Sequence, residues 1–162
     1  MKSFCVTIII AMFFSMSIKD TYAQTTQTQL NQVVLMKQFL GTWQCQVGEN
    51  TIYRSENKPF GTGMVCTIQI ITKEEIVDSV KQLFGYDNSI DKFIVAELIK
   101  SNSVIETGTA WFISEHTGNI FITDQDGDKL KFSFEFITPD LMKETATLDN
   151  NIVVDMEFNR VK

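Results

Sequence analysis

From Gly41 onward the chain alternates apolar and polar residues in short runs rich in Ile, Val, Phe and Thr, recurring about every 8 to 14 residues. In the clearest of them Leu130, Phe132, Phe134 and Phe136 fall on one face, with Lys131, Ser133 and Glu135 on the other. A period of two is that of a strand with one buried face. The last run repeats it: Ile152, Val154, Met156 and Phe158 share a face with Arg160, opposite Asp155, Glu157 and Asn159. Turn-forming residues punctuate the runs at Asn88-Ser89, Thr117-Gly118-Asn119, Asp126-Gly127, Thr138-Pro139-Asp140 and Asp149-Asn150-Asn151, and Gly61-Thr62-Gly63 marks the entrance to a strand. This gives nine strands, or ten if Thr51 to Ser55 pairs as well. Closing so many short strands into an antiparallel barrel buries their apolar faces and removes exposed edges. The predicted class is therefore all-β, a barrel of 9–10 antiparallel strands.

Two segments depart from this period. Leu30, Val33, Val34, Met36, Lys37 and Leu40 predict one short amphipathic helix ahead of the first strand. Thr72-Lys73-Glu74-Glu75 matches a helix capping box, and Ile76, Val77, Val80, Leu83 and Phe84 follow at helical spacing. Local rules thus favour a helix over 73–84. A barrel needs its successive strands paired, however, and β-branched residues are frequent there, so a strand is assigned.

The N-terminus reads as an export signal. Lys2 precedes an apolar run from Phe4 to Met16, and Thr21-Tyr22-Ala23 resembles a signal-peptidase site. The run is shorter than the roughly 20 residues that cross a bilayer as a helix, so no membrane insertion is expected after cleavage. Residues 1–23 form the expected signal peptide, 24–29 a disordered polar tail and 30–162 a single barrel domain, periplasmic or secreted. In an oxidising compartment Cys45 and Cys66 form an even pair. If residues 42–49 and 62–72 make a hairpin they can be bridged; two buried free thiols are the alternative.

Composition narrows the partners. The 162 residues carry 14 Lys+Arg against 20 Asp+Glu, a net charge of −6. That balance excludes electrostatic capture of nucleic acid or of anionic lipid headgroups, which needs clustered basic residues.

Phe39-Leu40-Gly41-Thr42-Trp43 resembles the G-x-W signature that opens the first strand of calycins, the superfamily of lipocalins and fatty-acid-binding proteins. Leu83-Phe84-Gly85-Tyr86-Asp87 followed by Asp91-Lys92-Phe93 resembles small exported bacterial lipocalin-like domains. The resemblance implies a calycin-like barrel with a helix across one end and Arg160, from the last strand, stacked on Trp43. It also implies a cavity for a small hydrophobic molecule. Fatty-acid-binding proteins usually place arginine inside the barrel for the ligand carboxylate, whereas here Arg54 and Arg160 are the only arginines, which argues against a fatty acid.

If the Phe-rich face points inward, Phe132, Phe134 and Phe136 line the interior, with Trp111 or Phe112 from a neighbouring strand. Alternation identifies a face but not the volume left over, so a ligand cavity and a filled core both satisfy it. His116, in Ser114-Glu115-His116-Thr117-Gly118, reads as an exposed turn histidine, and no haem or other cofactor is expected. Asp124, Asp126, Asp128 and Glu135 have calcium-loop spacing, but Lys129 stands where the sharp turn requires glycine, so a plain Asp-Gly hairpin is expected and no metal. No activated nucleophile is evident, and no catalytic residue is assigned. Asp78, Glu97, Glu106 and Glu144 lie in predicted strands, and convergence of two of them in a pocket would indicate acid–base chemistry. The expected function is non-catalytic binding of a small hydrophobic ligand. The alternatives are a barrel enzyme using pocket carboxylates and a filled barrel that binds protein partners through its surface.

Overall fold

The computed structural model describes residues 30–124, 126–148 and 151–161; the expected signal peptide and polar tail lie outside them. One short helix, α1 (Gln32–Met36), runs into a single 3₁₀ turn (Lys37–Phe39). Ten strands follow: β1 (Gly41–Val47), β2 (Thr51–Phe60), β3 (Gly63–Thr72), β4 (Glu75–Asp87), β5 (Lys92–Ile99), β6 (Ile105–Phe112), β7 (Thr117–Thr123), β8 (Lys129–Thr138), β9 (Leu141–Leu148) and β10 (Asn151–Val161). Each pairs antiparallel with its neighbour in sequence, and β1 pairs with β10, so the sheet closes on itself. The sequence pattern is thus realised as an all-β closed barrel with ten strands, β2 supplying the tenth.

Segment 73–84 is a strand. Lys73 and Glu74 take positive φ values of 52° and 70° in the tight turn between β3 and β4, which ends any helical start, and ladder partners in β3 then hold β4. Non-local pairing has overridden a local capping signal. Thr117-Gly118-Asn119, expected as a turn, instead opens β7; the connection is Ile113 to His116. There the Ser114 hydroxyl accepts the backbone N–H groups of His116 and Thr117, so Ser114 makes the turn without glycine.

Asn31 caps α1 by accepting the Val34 N–H at 3.0 Å. The helix crosses one end of the barrel, where Gln32 is buried and bridges the Phe112 backbone, donating to its carbonyl at 3.0 Å and accepting its N–H at 2.8 Å. This end also holds the plug. Trp43 is fully buried, its Nε1 donates to the Phe39 carbonyl at 2.8 Å, and the Arg160 guanidinium lies 4.1 Å from the ring centre. Arg160 is itself fixed: its guanidinium donates to the carbonyls of Gln38, Leu40 and Pro139 and pairs with Asp140 at 3.3 Å. Gly41 has a φ of +107°, and a Cβ there would stand 2.9 Å from Arg160 Nη1, so both backbone conformation and space require glycine.

Over Thr51–Asn57 β2 pairs with β1 on one side and β3 on the other, so the hairpin of 42–49 with 62–72 does not form. Cys45 sits opposite Tyr53, and Cys66 opposite Asn57. Both thiols are buried and free. Burial pushes the Cys66 thiol up to about 12, helped by the charges of Glu144 and Glu97, and burial raises Cys45 as well. Since the thiolate is the reactive form, neither cysteine should be alkylated by iodoacetamide at pH 8 in the native protein, and both should react once it is denatured. Peptide mass spectrometry checks this; rapid native labelling of Cys66 would contradict it.

Candidate functional site: a cavity above an aromatic floor

The lower barrel is filled and the middle is not. Phe39 reaches in from the 3₁₀ turn and meets Phe134 and Phe136 edge-on, each with ring centres 4.9 Å away; Phe112 meets Phe134 at 5.0 Å. Gly118 makes room for Phe134, whose ring carbon would lie 2.3 Å from a Cβ at that position. Above this floor lies a cavity of about 220 Å³. Its apolar wall includes Met64, Ile68, Phe132, Met142, Met156 and Phe158, drawn from β3, β8, β9 and β10.

The aromatic residues singled out by sequence separate into three groups. Phe132 faces the cavity. Phe112, Phe134 and Phe136 are buried in the floor, so they bound the space from below and do not line it. Trp111 corrects the expectation. It lies on the outer face, stacked on Phe121 with ring centres 5.3 Å apart and covered by Lys92 Nζ at 3.6 Å, because it is Ala110 and Phe112 on either side that are buried. With adjacent aromatics at 111 and 112, alternation could not decide which one points inward.

Sequence inspection did not group the polar residues of the wall. Cross-strand register aligns Asn57, Cys66, Gln82, Glu97 and Glu106 in one row across β2 to β6. No motif announces such a row, since each member comes from a different strand. Gln82 Nε2 donates to Glu97 Oε2 at 2.6 Å. Glu106 hydrogen-bonds Glu97 from the other side; burial, the charges of Glu97 and Asp124 and that hydrogen bond all raise its carboxyl. Asn57 and Glu97 line the cavity, as does Glu144 from β9, which belongs to another wall. Glu144 retains some surface towards the cavity inside the barrel, and burial pushes its carboxyl up to about 7. No described residue hydrogen-bonds it. Asp78 is not part of the cavity lining; a hydrogen bond with the Ser101 side chain, and the Ser79 N–H that it accepts at 2.7 Å, lower its carboxyl.

The other candidates have local tasks. His116 is exposed, and its carbonyl accepts the Phe136 N–H at 2.8 Å. Asp124 Oδ1 accepts the N–H groups of Asp126 and Asp128, both at 2.9 Å, which spends its carboxylate on shaping the β7–β8 turn. The Leu83–Asp87 and Asp91–Phe93 segments form the β4–β5 hairpin, where the Tyr86 hydroxyl donates to Asp91 at 2.7 Å. Comparison of the chain with protein-family models, curated proteins and solved structures returned no match.

Proposed function

We propose that the protein is an exported, calycin-like barrel that binds a small hydrophobic molecule in its cavity without catalysing a reaction on it. The observation that carries this reading is a 220 Å³ space bounded mainly by Met, Ile and Phe side chains above a rigid aromatic floor. Removing apolar ligand surface from water into such a space contributes roughly 25 cal/mol per Å². A cavity of about 150 Å³ suffices for benzene, so this one suits a single ring with a short chain, not a drug-sized molecule. The clamp of Arg160 over Trp43 beside Gly41 supports the calycin-like assignment. The contact between Glu97 and Glu106 favours a second reading, acid–base catalysis, but Gln82 already engages Glu97, and Glu106 is not part of the cavity lining.

Methyl-labelled methionine provides the test, because Met64, Met142 and Met156 line the cavity while Met36 sits in α1 outside it. Titration with ethylbenzene should produce saturable shifts of the three lining methyls and leave Met36 in place. Unchanged spectra, or equal shifts of all four, would reject cavity binding.

A further inference from the structure

The polar atoms of the cavity are unequal in kind. Asn57 is only 6% exposed, and its Nδ2 donates to the Phe39 carbonyl at 2.8 Å, which fixes the amide with Oδ1 as its remaining polar atom. That Oδ1 is buried without a hydrogen-bond partner among the described residues. Glu144, contributed by β9, likewise has none among the described residues. Both are acceptors when Glu144 is ionised, and the lining contains no Lys, Arg or His to answer them. The remaining ionisable groups of the lining are Tyr53, Cys66 and Glu97, none of them cationic. A mainly apolar space with such acceptors and only acidic charge disfavours an anionic ligand by like-charge repulsion and favours one that brings its own donors.

We propose that the cavity selects a small lipophilic amine, its apolar body against the Met and Phe wall and its ammonium paired with the Glu144 carboxylate, with Asn57 Oδ1 as a further acceptor at the floor. This rests on the cavity-binding reading and names the ligand class for it. A charge-assisted hydrogen bond is roughly twice as strong as its neutral counterpart, so the headgroup decides the ranking among ligands of equal size. Burial holds the Glu144 proton to near neutral pH, and the arriving ammonium displaces it.

Three ligands that share a benzene ring separate the possibilities: 2-phenylethylamine, 2-phenylethanol and phenylacetate, titrated at pH 8 by calorimetry and by the methionine methyls. The amine should bind at least tenfold more tightly than the alcohol, and phenylacetate at least tenfold more weakly than the alcohol. In Glu144→Gln the ratio of amine to alcohol affinity should fall to about one. A measurement on the unsubstituted protein makes the test independent of that variant: at pH 6 the Glu144 carboxyl carbon resonance should move to its ionised position on adding the amine and stay in place on adding the alcohol. Equal affinity for amine and alcohol, an advantage that survives in Glu144→Gln, or a Glu144 resonance indifferent to the amine would overturn the amine assignment while alcohol binding leaves the cavity reading standing. If neither ethylbenzene nor any of the three shifts the lining methyls, both readings fall.

Discussion

Replacing Trp43 with alanine should destabilise the barrel by roughly 3–5 kcal/mol, the range for large-to-small changes at a fully enclosed aromatic. The indole is completely buried, lies 5.9 Å from the Phe136 ring centre, carries Arg160 on its other side and donates to Phe39. Its loss leaves a void bordered by side chains that backbone hydrogen bonds already hold, so the plug has little freedom to collapse into it. Trp43→Phe should cost less, about 1–2 kcal/mol, because the Phe39 carbonyl keeps the Asn57 amide as donor. Arg160→Ala should also destabilise, by less than Trp43→Ala, since the carbonyls it leaves lie at a partly solvent-accessible end of the barrel. Urea melts of the variants check the order; a Trp43→Ala midpoint matching the parent would refute the plug's role.

Glu144→Gln should stabilise the protein at pH 8 and leave it unchanged at pH 4. The ordinary glutamate value is 4.5, and burial raises Glu144 to about 7. Below 4.5 both folded and unfolded chains are protonated and the residue contributes nothing. Between 4.5 and about 7 the unfolded chain releases the proton while the folded chain keeps it, so stability falls as pH rises. Above about 7 both are ionised and the penalty is complete, roughly 3 kcal/mol for such a shift. Glutamine removes this titration while preserving shape. Glu106, also raised, contributes a fall of the same sign, so the parent-minus-variant difference is the quantity to follow. Melts across pH 4 to 8 should show that difference growing only through the window between the two values; a constant offset would contradict the burial of this carboxyl.

The barrel was legible because alternation is a local property. Each run such as Leu130–Ile137 declares one buried face, and ten of them leave few arrangements. The 73–84 segment shows where local reading fails, since its ladder partners in β3 and β5 decide it and neither is visible in its own residues. The clamp was legible only through the resemblance of Phe39–Trp43 and the late Arg160 to the calycin pattern. The cavity was not. Whether Phe132 leaves space or fills it depends on how far Met64 and Ile68 reach in from β3, and on Phe39 entering from outside the sheet. The acidic lining was hidden for a related reason: Glu97 and Glu144 each occupy an ordinary inward position of an ordinary strand, and only register places them around a common space.

The pairing of β1 with β10 also sets an order of events. Arg160 reaches the Gln38 carbonyl 122 residues earlier in the chain, so the first strand cannot acquire its guanidinium lid until the last has been synthesised. Every other described ladder joins neighbours in sequence and can form as the polypeptide lengthens, but the seam waits for β10. Contacts of such long separation carry a large loop-closure cost and slow the rate-limiting step. A nascent chain halted before β10 would therefore be an open ribbon, with its aromatic floor uncovered and its ligand chamber lacking a side.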